Sequence, residues 1–171
     1  SNDYSAGAEL VDSRDNVVMT RTFSKIHGLA GLRVGWAYCP SNVADVLNRI
    51  RGPFNVNAAA QAAAVAALED VAFTDATRTH NDIWRGWLAD KLKALGLTVL
   101  PSVGNFLLVR FAATPGHDAV AAEAYLARRG IIPRKVAAYG LPDWLRITIG
   151  TEAETRATAE AIADFVAGKP A

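Results

Sequence analysis

TRTFSKIHGLAGLRVGW (residues 20–36) carries one lysine, two arginines, three glycines and no acid. Two short β-rich runs flank it, NVVMTRT (16–22) and VGWAYC (34–39), so the glycine-punctuated segment reads as a loop between two strands. Lys25 is then either a solvated loop lysine or a reactive amine beside an anion. The spacing of GLAGLRVG is G-x-x-G-x-x-x-G, not the G-x-G-x-x-G of a dinucleotide fold, and the terminal Lys-Ser/Thr of a P-loop is missing. What the loop does offer is Thr22 and Ser24 hydroxyls, backbone amides freed by Gly28, Gly31 and Gly35, and the Arg33 guanidinium. Those are the groups that grip a phosphate. An amine that attacks a carbonyl must also shed its proton part of the time, which neighbouring cations favour.

The surroundings agree with an anionic ligand. From Asn16 to Leu68 the acid Asp45 faces Arg21, Lys25, Arg33, Arg49 and Arg51, five cations to one anion. A run of solvated arginines is the competing reading. Over the whole chain the formal net charge is only +1, which argues against nucleic acid as a partner. No apolar run approaches a membrane span and no signal peptide is visible, so the expectation is a cytoplasmic protein without a membrane partner. Cys39 stands alone, and His27, His80 and His117 are scattered without ligand spacing; no metal site is expected.

Beyond the loop, a helix is expected over NVADVLNRI with Ser41 as its N-cap, broken at Gly52-Pro53. NAAAQAAAVAALEDV (57–71) reads as an alanine-rich helix. A longer one runs from Thr74 to Leu95, where Ile83, Trp84, Trp87, Leu88, Leu92 and Leu95 form one apolar stripe and Gly96 stops it. LTVL and NFLLVRF follow as strands around the turn PSVG. Then come a helix over His117–Arg129, a short extended GIIPR, the turn YGLPD, the strand WLRITI and a last helix opened by Thr151 and Glu154 as a capping box. Strand, strand, helix, strand, strand, helix makes a small α+β unit. The opening SN reads as a tag scar, and the polar DYSAGAELVDSRDN after it as the start of a piece of a longer protein.

Taken whole, T-x-S-K-x-x-G-L-x-G-x-R-x-G resembles the lysine segment of fold-type I aminotransferases dependent on pyridoxal phosphate (PLP). GPFNVNAAAQAAAVAAL and YGLPDWLRITIGTEAE are similar, in the expected order, to the histidinol-phosphate aminotransferase branch, whose C-terminal half this chain resembles. The resemblance implies an α/β, PLP-transferase-like fold. Residues 1–73 would be a partial large-domain sheet with helices, and residues 74–171 a linking helix and a small C-terminal α+β domain.

It also implies roles. Lys25 would bond covalently to PLP and act as the catalytic base; Ser24 and Arg33, with Thr22, would hold the cofactor phosphate. Arg146 in LRITIG would clamp the substrate α-carboxylate, a reading that an arginine in an apolar strand suggests independently because a buried guanidinium needs a partner. A structural ion pair is the alternative there. Arg134 would face the distal end of the substrate, with a solvated face as its alternative, and Asn105 would lie close to the active site. Asn55 and Asn57 are further candidates near the site that also suit turns and caps, and Tyr139 could line the entrance but reads better as a buried tyrosine.

The implied reaction transfers an amino group from histidinol phosphate to 2-oxoglutarate, a step of histidine biosynthesis, in a homodimer. An aromatic aminotransferase, a threonine-phosphate decarboxylase and a non-catalytic PLP-binding regulatory domain are the alternatives the residues leave open. The acid that the family sets against the PLP pyridine nitrogen has no counterpart here, and Asp3 and Tyr4 are not assigned that role. The piece alone is expected to be inactive.

Overall fold

A computed structural model describes residues 5–170; the scar expected at residues 1–2 lies outside the described residues. The described residues fall into two compact units divided between Arg78 and Thr79. Both that division and the expected 73/74 boundary fall inside one long helix.

In the first unit, helix α1 (Ala8–Ser13) starts after Gly7, whose φ of 83° is in the left-handed region. Read as sequence, this short segment carries no helical periodicity that announces it. Tyr38 donates a hydrogen bond to the Asp12 carboxylate and ties α1 to the following hairpin; that bond is the first cause of the Tyr38 phenol being held above its ordinary value. The hairpin is β1 (Met19–Thr22) antiparallel to β2 (Gly35–Tyr38), with Thr22 opposite Gly35. Both strands are shorter than the β-rich runs that announced them.

Helix α2 (Ser41–Ile50) is capped by extended Pro40, whose carbonyl accepts from Val43 and Ala44, so Ser41 is the first helical residue and not the expected cap. Helix α3 (Ala58–Glu69) begins where the Asn57 side chain accepts from the Ala60 N–H at 2.8 Å, and it buries Ala60 and Ala64 one turn apart. Asn57 is thus spent as a cap. Helix α4 (Val71–Ala94) starts earlier than expected because the Asp70 carboxylate accepts from the Phe73 N–H at 2.9 Å.

The second unit is built on a four-stranded antiparallel sheet. Its strands are β3 (Thr98–Val99), β4 (Phe106–Arg110), β5 (Arg134–Lys135) and β6 (Trp144–Thr148), in the order β3-β4-β6-β5. Alternation sends Leu107, Val109, Leu145 and Ile147 to one face, where they join Leu88 and Leu92 of α4. Helices α5 (Ala119–Arg128) and α6 (Glu152–Val166) complete that core with Leu126, Ile162 and Phe165.

Along α4, Trp84, Leu88 and Leu92 are buried, with Trp87 and Leu95 packed against the core. Ile83 departs from the expected stripe and is 58% exposed. It sits about 100° around the helix from Trp84, outside the line that 84, 88 and 92 draw. Gly96, at φ 82°, ends α4 by returning its N–H to the Lys93 carbonyl while Leu97 reaches Leu92. The Thr151–Glu154 capping box forms as expected, and its hydrogen bonds hold the Glu154 carboxyl below its ordinary value.

No helix among the described residues is long and apolar enough to cross a membrane.

Candidate functional site

The candidate residues lie on two surfaces, one in each unit. The first is the loop between β1 and β2. Buried Phe23 anchors it: its N–H donates to the Val34 carbonyl at 3.2 Å, and its carbonyl accepts from Leu29 at 2.9 Å. Inside this closure Lys25 opens a tight turn, its carbonyl accepting from the Gly28 N–H at 2.9 Å. Gly28 has φ 68°, so glycine is needed there, and Phe73 from the first turn of α4 lies over it. The Lys25 side chain is exposed.

Arg33 stands in the left-handed region at φ 53°, an uncommon conformation for a residue with a Cβ. Backbone held this way clusters at binding sites. The conformation brings its guanidinium to the Ala30 carbonyl at 2.8 Å and to Ser24 Oγ at 3.4 Å. Ser24 and Arg33, nine positions apart, therefore meet on the loop that carries Lys25. Thr22 acts differently: its hydroxyl oxygen accepts from the Ser24 N–H at 3.0 Å, so it sets the backbone of Ser24.

Of the three loop glycines, Gly35 is fixed by close approach, since a Cβ there would stand 2.6 Å from the Arg21 carbonyl oxygen. Gly31 faces open space. The clustered cations named from the sequence do not all face this loop. Arg49 pairs with Asp45 on α2, and Arg51 bonds the side chains of Asn48 and Asn55.

The second surface is the sheet face of the second unit away from its helices. Arg134 on β5 and Arg146 on β6 are direct cross-strand partners and so share this face. Two guanidiniums in that register repel one another unless an anion lies between or over them. Arg146 is half-buried, its guanidinium carbon 5.1 Å from the centre of the Phe106 ring, and its Nε is buried without a hydrogen-bond partner among the described residues. No carboxylate pairs with it among those residues. Arg134 is exposed and donates to the Tyr139 hydroxyl at 3.3 Å. Tyr139 itself is 68% exposed, which corrects its reading as a buried tyrosine: the short helical turn Ala137–Tyr139 displays it beside Arg134.

Asn105 is exposed and sits one residue before β4, where its carbonyl accepts from Ile149 at 2.9 Å. Cross-strand register thus joins Arg134 to Arg146. The pairing of Tyr139 with Arg134 and the packing of His27 in the lysine loop were missed from sequence. The i, i+4 aromatic spacing of Phe23 and His27 was the available signal for the latter.

The family model described as aminotransferase class I and II matches residues 1–162. Among curated relatives, a histidinol-phosphate aminotransferase of Rhodopseudomonas palustris is 54% identical over 166 residues, 97% of this chain and 46% of its own. One of Paramagnetospirillum magneticum is 56% identical over 165 residues, 96% of this chain and 46% of its own. The crystal structure of histidinol-phosphate aminotransferase from Sinorhizobium meliloti, in complex with pyridoxal-5'-phosphate, superposes with a TM-score of 0.82 at 30% identity, covering 94% of this chain and 44% of that one. The chain spans about half the length of the curated relatives it matches. With most of its length matched by that model, the chain belongs to the aminotransferase class I and II family.

Proposed function

We propose that this chain carries the lysine and substrate-arginine portion of a PLP-dependent aminotransferase that acts on histidinol phosphate and a 2-oxo acid such as 2-oxoglutarate, working as a cytoplasmic homodimer in histidine biosynthesis. The observation that carries the reading is the meeting of Ser24 Oγ and Arg33 on the loop of exposed Lys25. The names of relatives above half identity support the substrate.

The residues fit the cofactor. Ser24 and Arg33 would grip its phosphate, and Thr22 would hold the Ser24 amide in place. Lys25 Nζ would bind it covalently and, once released, take the proton from the substrate α-carbon. PLP, when bound, supplies the electron sink for that carbon. Arg146 would orient the substrate by a bidentate bond to its carboxylate, and Arg134, held by Tyr139, would meet an anionic group at the other end. Asn105, one residue before β4, is kept as a substrate-side candidate.

Incubation with PLP followed by borohydride reduction and peptide mass spectrometry tests the cofactor reading. The label is expected on Lys25 and absent in Lys25→Ala; labelling spread over surface lysines would refute it. The substrate reading is tested on the protein completed to the length of its relatives, with histidinol phosphate expected to be turned over in preference to phenylalanine and threonine phosphate. We propose that residues 1–171 alone are inactive, and measurable transamination by them would overturn this. Exposed Trp36, Tyr38, Val46, Leu47 and Ile50 support self-association, which a monomer in light scattering would refute.

A further inference from the structure

His27 lies two residues beyond Lys25, inside the same tight turn, and none of the roles above uses it. Its ring is half-buried and packs on Phe23 with centroids 5.0 Å apart and planes tilted by 38°. Phe23 is the residue whose N–H and carbonyl close the whole loop, onto Val34 and Leu29. The imidazole therefore links the inner turn, Lys25 to Gly28, to the outer closure.

The chemistry of that contact is apolar. His27 Nδ1 is buried and has no hydrogen-bond partner among the described residues. A buried nitrogen left unpaired weakens a fold, so it is not what keeps the ring in place; the ring contact with Phe23 is. Without that ring, the turn from Lys25 to Gly28 would rest on one backbone bond, the left-handed glycine and Phe73 over it. A single bond in an exposed turn opens readily.

We infer that His27 is a positioning residue for Lys25. By packing on Phe23 it locks the turn on which the lysine stands, and it does so as an aromatic ring rather than as a hydrogen-bonding group. The inference rests on the proposed role of Lys25 only for its consequence in cofactor capture; the locking of the turn is independent of any ligand.

The experiment has two readouts on the 171-residue chain. Amide hydrogen exchange at Gly28 and Leu29, without PLP, reports the turn. His27→Ala is expected to speed exchange there by about tenfold, and His27→Phe, which keeps the ring and removes the unpaired nitrogen, is expected to restore the original rate or slow it further. Labelling of Lys25 by PLP and borohydride is expected to fall several-fold in His27→Ala and to recover in His27→Phe. Exchange unchanged in His27→Ala overturns the inference, and so does failure of His27→Phe to rescue it. Should exchange follow the expected pattern while even the unsubstituted chain takes no label on Lys25, the locked turn stands and the cofactor reading falls. Unfolding by His27→Ala would speed exchange throughout the unit, so Ala60 and Ala64 amides on α3 serve as the reference that must stay slow.

Discussion

The two sheets of this chain make an instructive pair. The β4–β6 ladder alternates cleanly: Leu107, Val109, Leu145 and Ile147 are each less than 5% exposed and meet three helices. The β1–β2 hairpin is regular in its pairing, yet every residue of β2 is exposed, with Trp36 at 48% and Tyr38 at 40%. An isolated two-stranded ribbon is marginal in water. Here the hairpin is sustained by its loop and by the Asp12–Tyr38 bond, whereas the four-stranded sheet is sustained by apolar burial. One unit is organised around a core and the other around a turn that presents Lys25.

That contrast can be broken by substitution. Leu145→Ala should destabilise the second unit by about 2–5 kcal/mol, because it empties a fully buried site, while Ile50→Ala on exposed α2 should stay within about 0.5 kcal/mol. Urea titrations giving equal losses would erase the distinction. Gly35→Ala should destabilise the hairpin by about 1–3 kcal/mol, since its new Cβ meets backbone that cannot move aside, and Gly31→Ala should cost much less. Circular dichroism melts of the two variants check this.

A smaller effect tests the cap rather than the core. Thr151→Ala should cost about 1 kcal/mol by freeing the Glu154 N–H and breaking the capping box, seen as a lower melting temperature. The smallest concerns Asp164, whose carboxyl lies below its ordinary value of 3.8 because Lys169 and Arg129 donate to it. A depressed carboxylate stabilises the fold above its unfolded value, and that contribution fades as pH falls through the folded one. Asp164→Asn should therefore be less stable than the unsubstituted chain at neutral pH, and the gap should close below about pH 4. A gap that widens on acidification would contradict the ion pairs seen at Asp164.

Much of this was legible in the residues. The order of strands and helices in the second unit follows from alternation in LLV and LRITI, from the 84/88/92 spacing and from the Thr151–Glu154 signal, because each is a local pattern with a local cause. The Lys25 loop stood out for the same reason: hydroxyls, glycines and an arginine at fixed offsets between two β-rich runs. Elements fixed by caps were read less well. Helix α1 carries no periodicity that announces it, α2 is capped by Pro40 rather than Ser41, and α4 begins before Thr74 because Asp70 caps it.

The sequence by itself determined which groups are available: a lysine amid phosphate-gripping side chains, and arginines in strands rich in apolar residues. Only the tertiary structure decided which of them meet. Arg33 reaches Ser24 through a left-handed backbone that no propensity announces. Arg134 faces Arg146 because antiparallel register, not sequence distance, makes neighbours of residues on different strands. The i, i+4 spacing of Phe23 and His27 allowed their ring contact, and the closure of the loop in space made it.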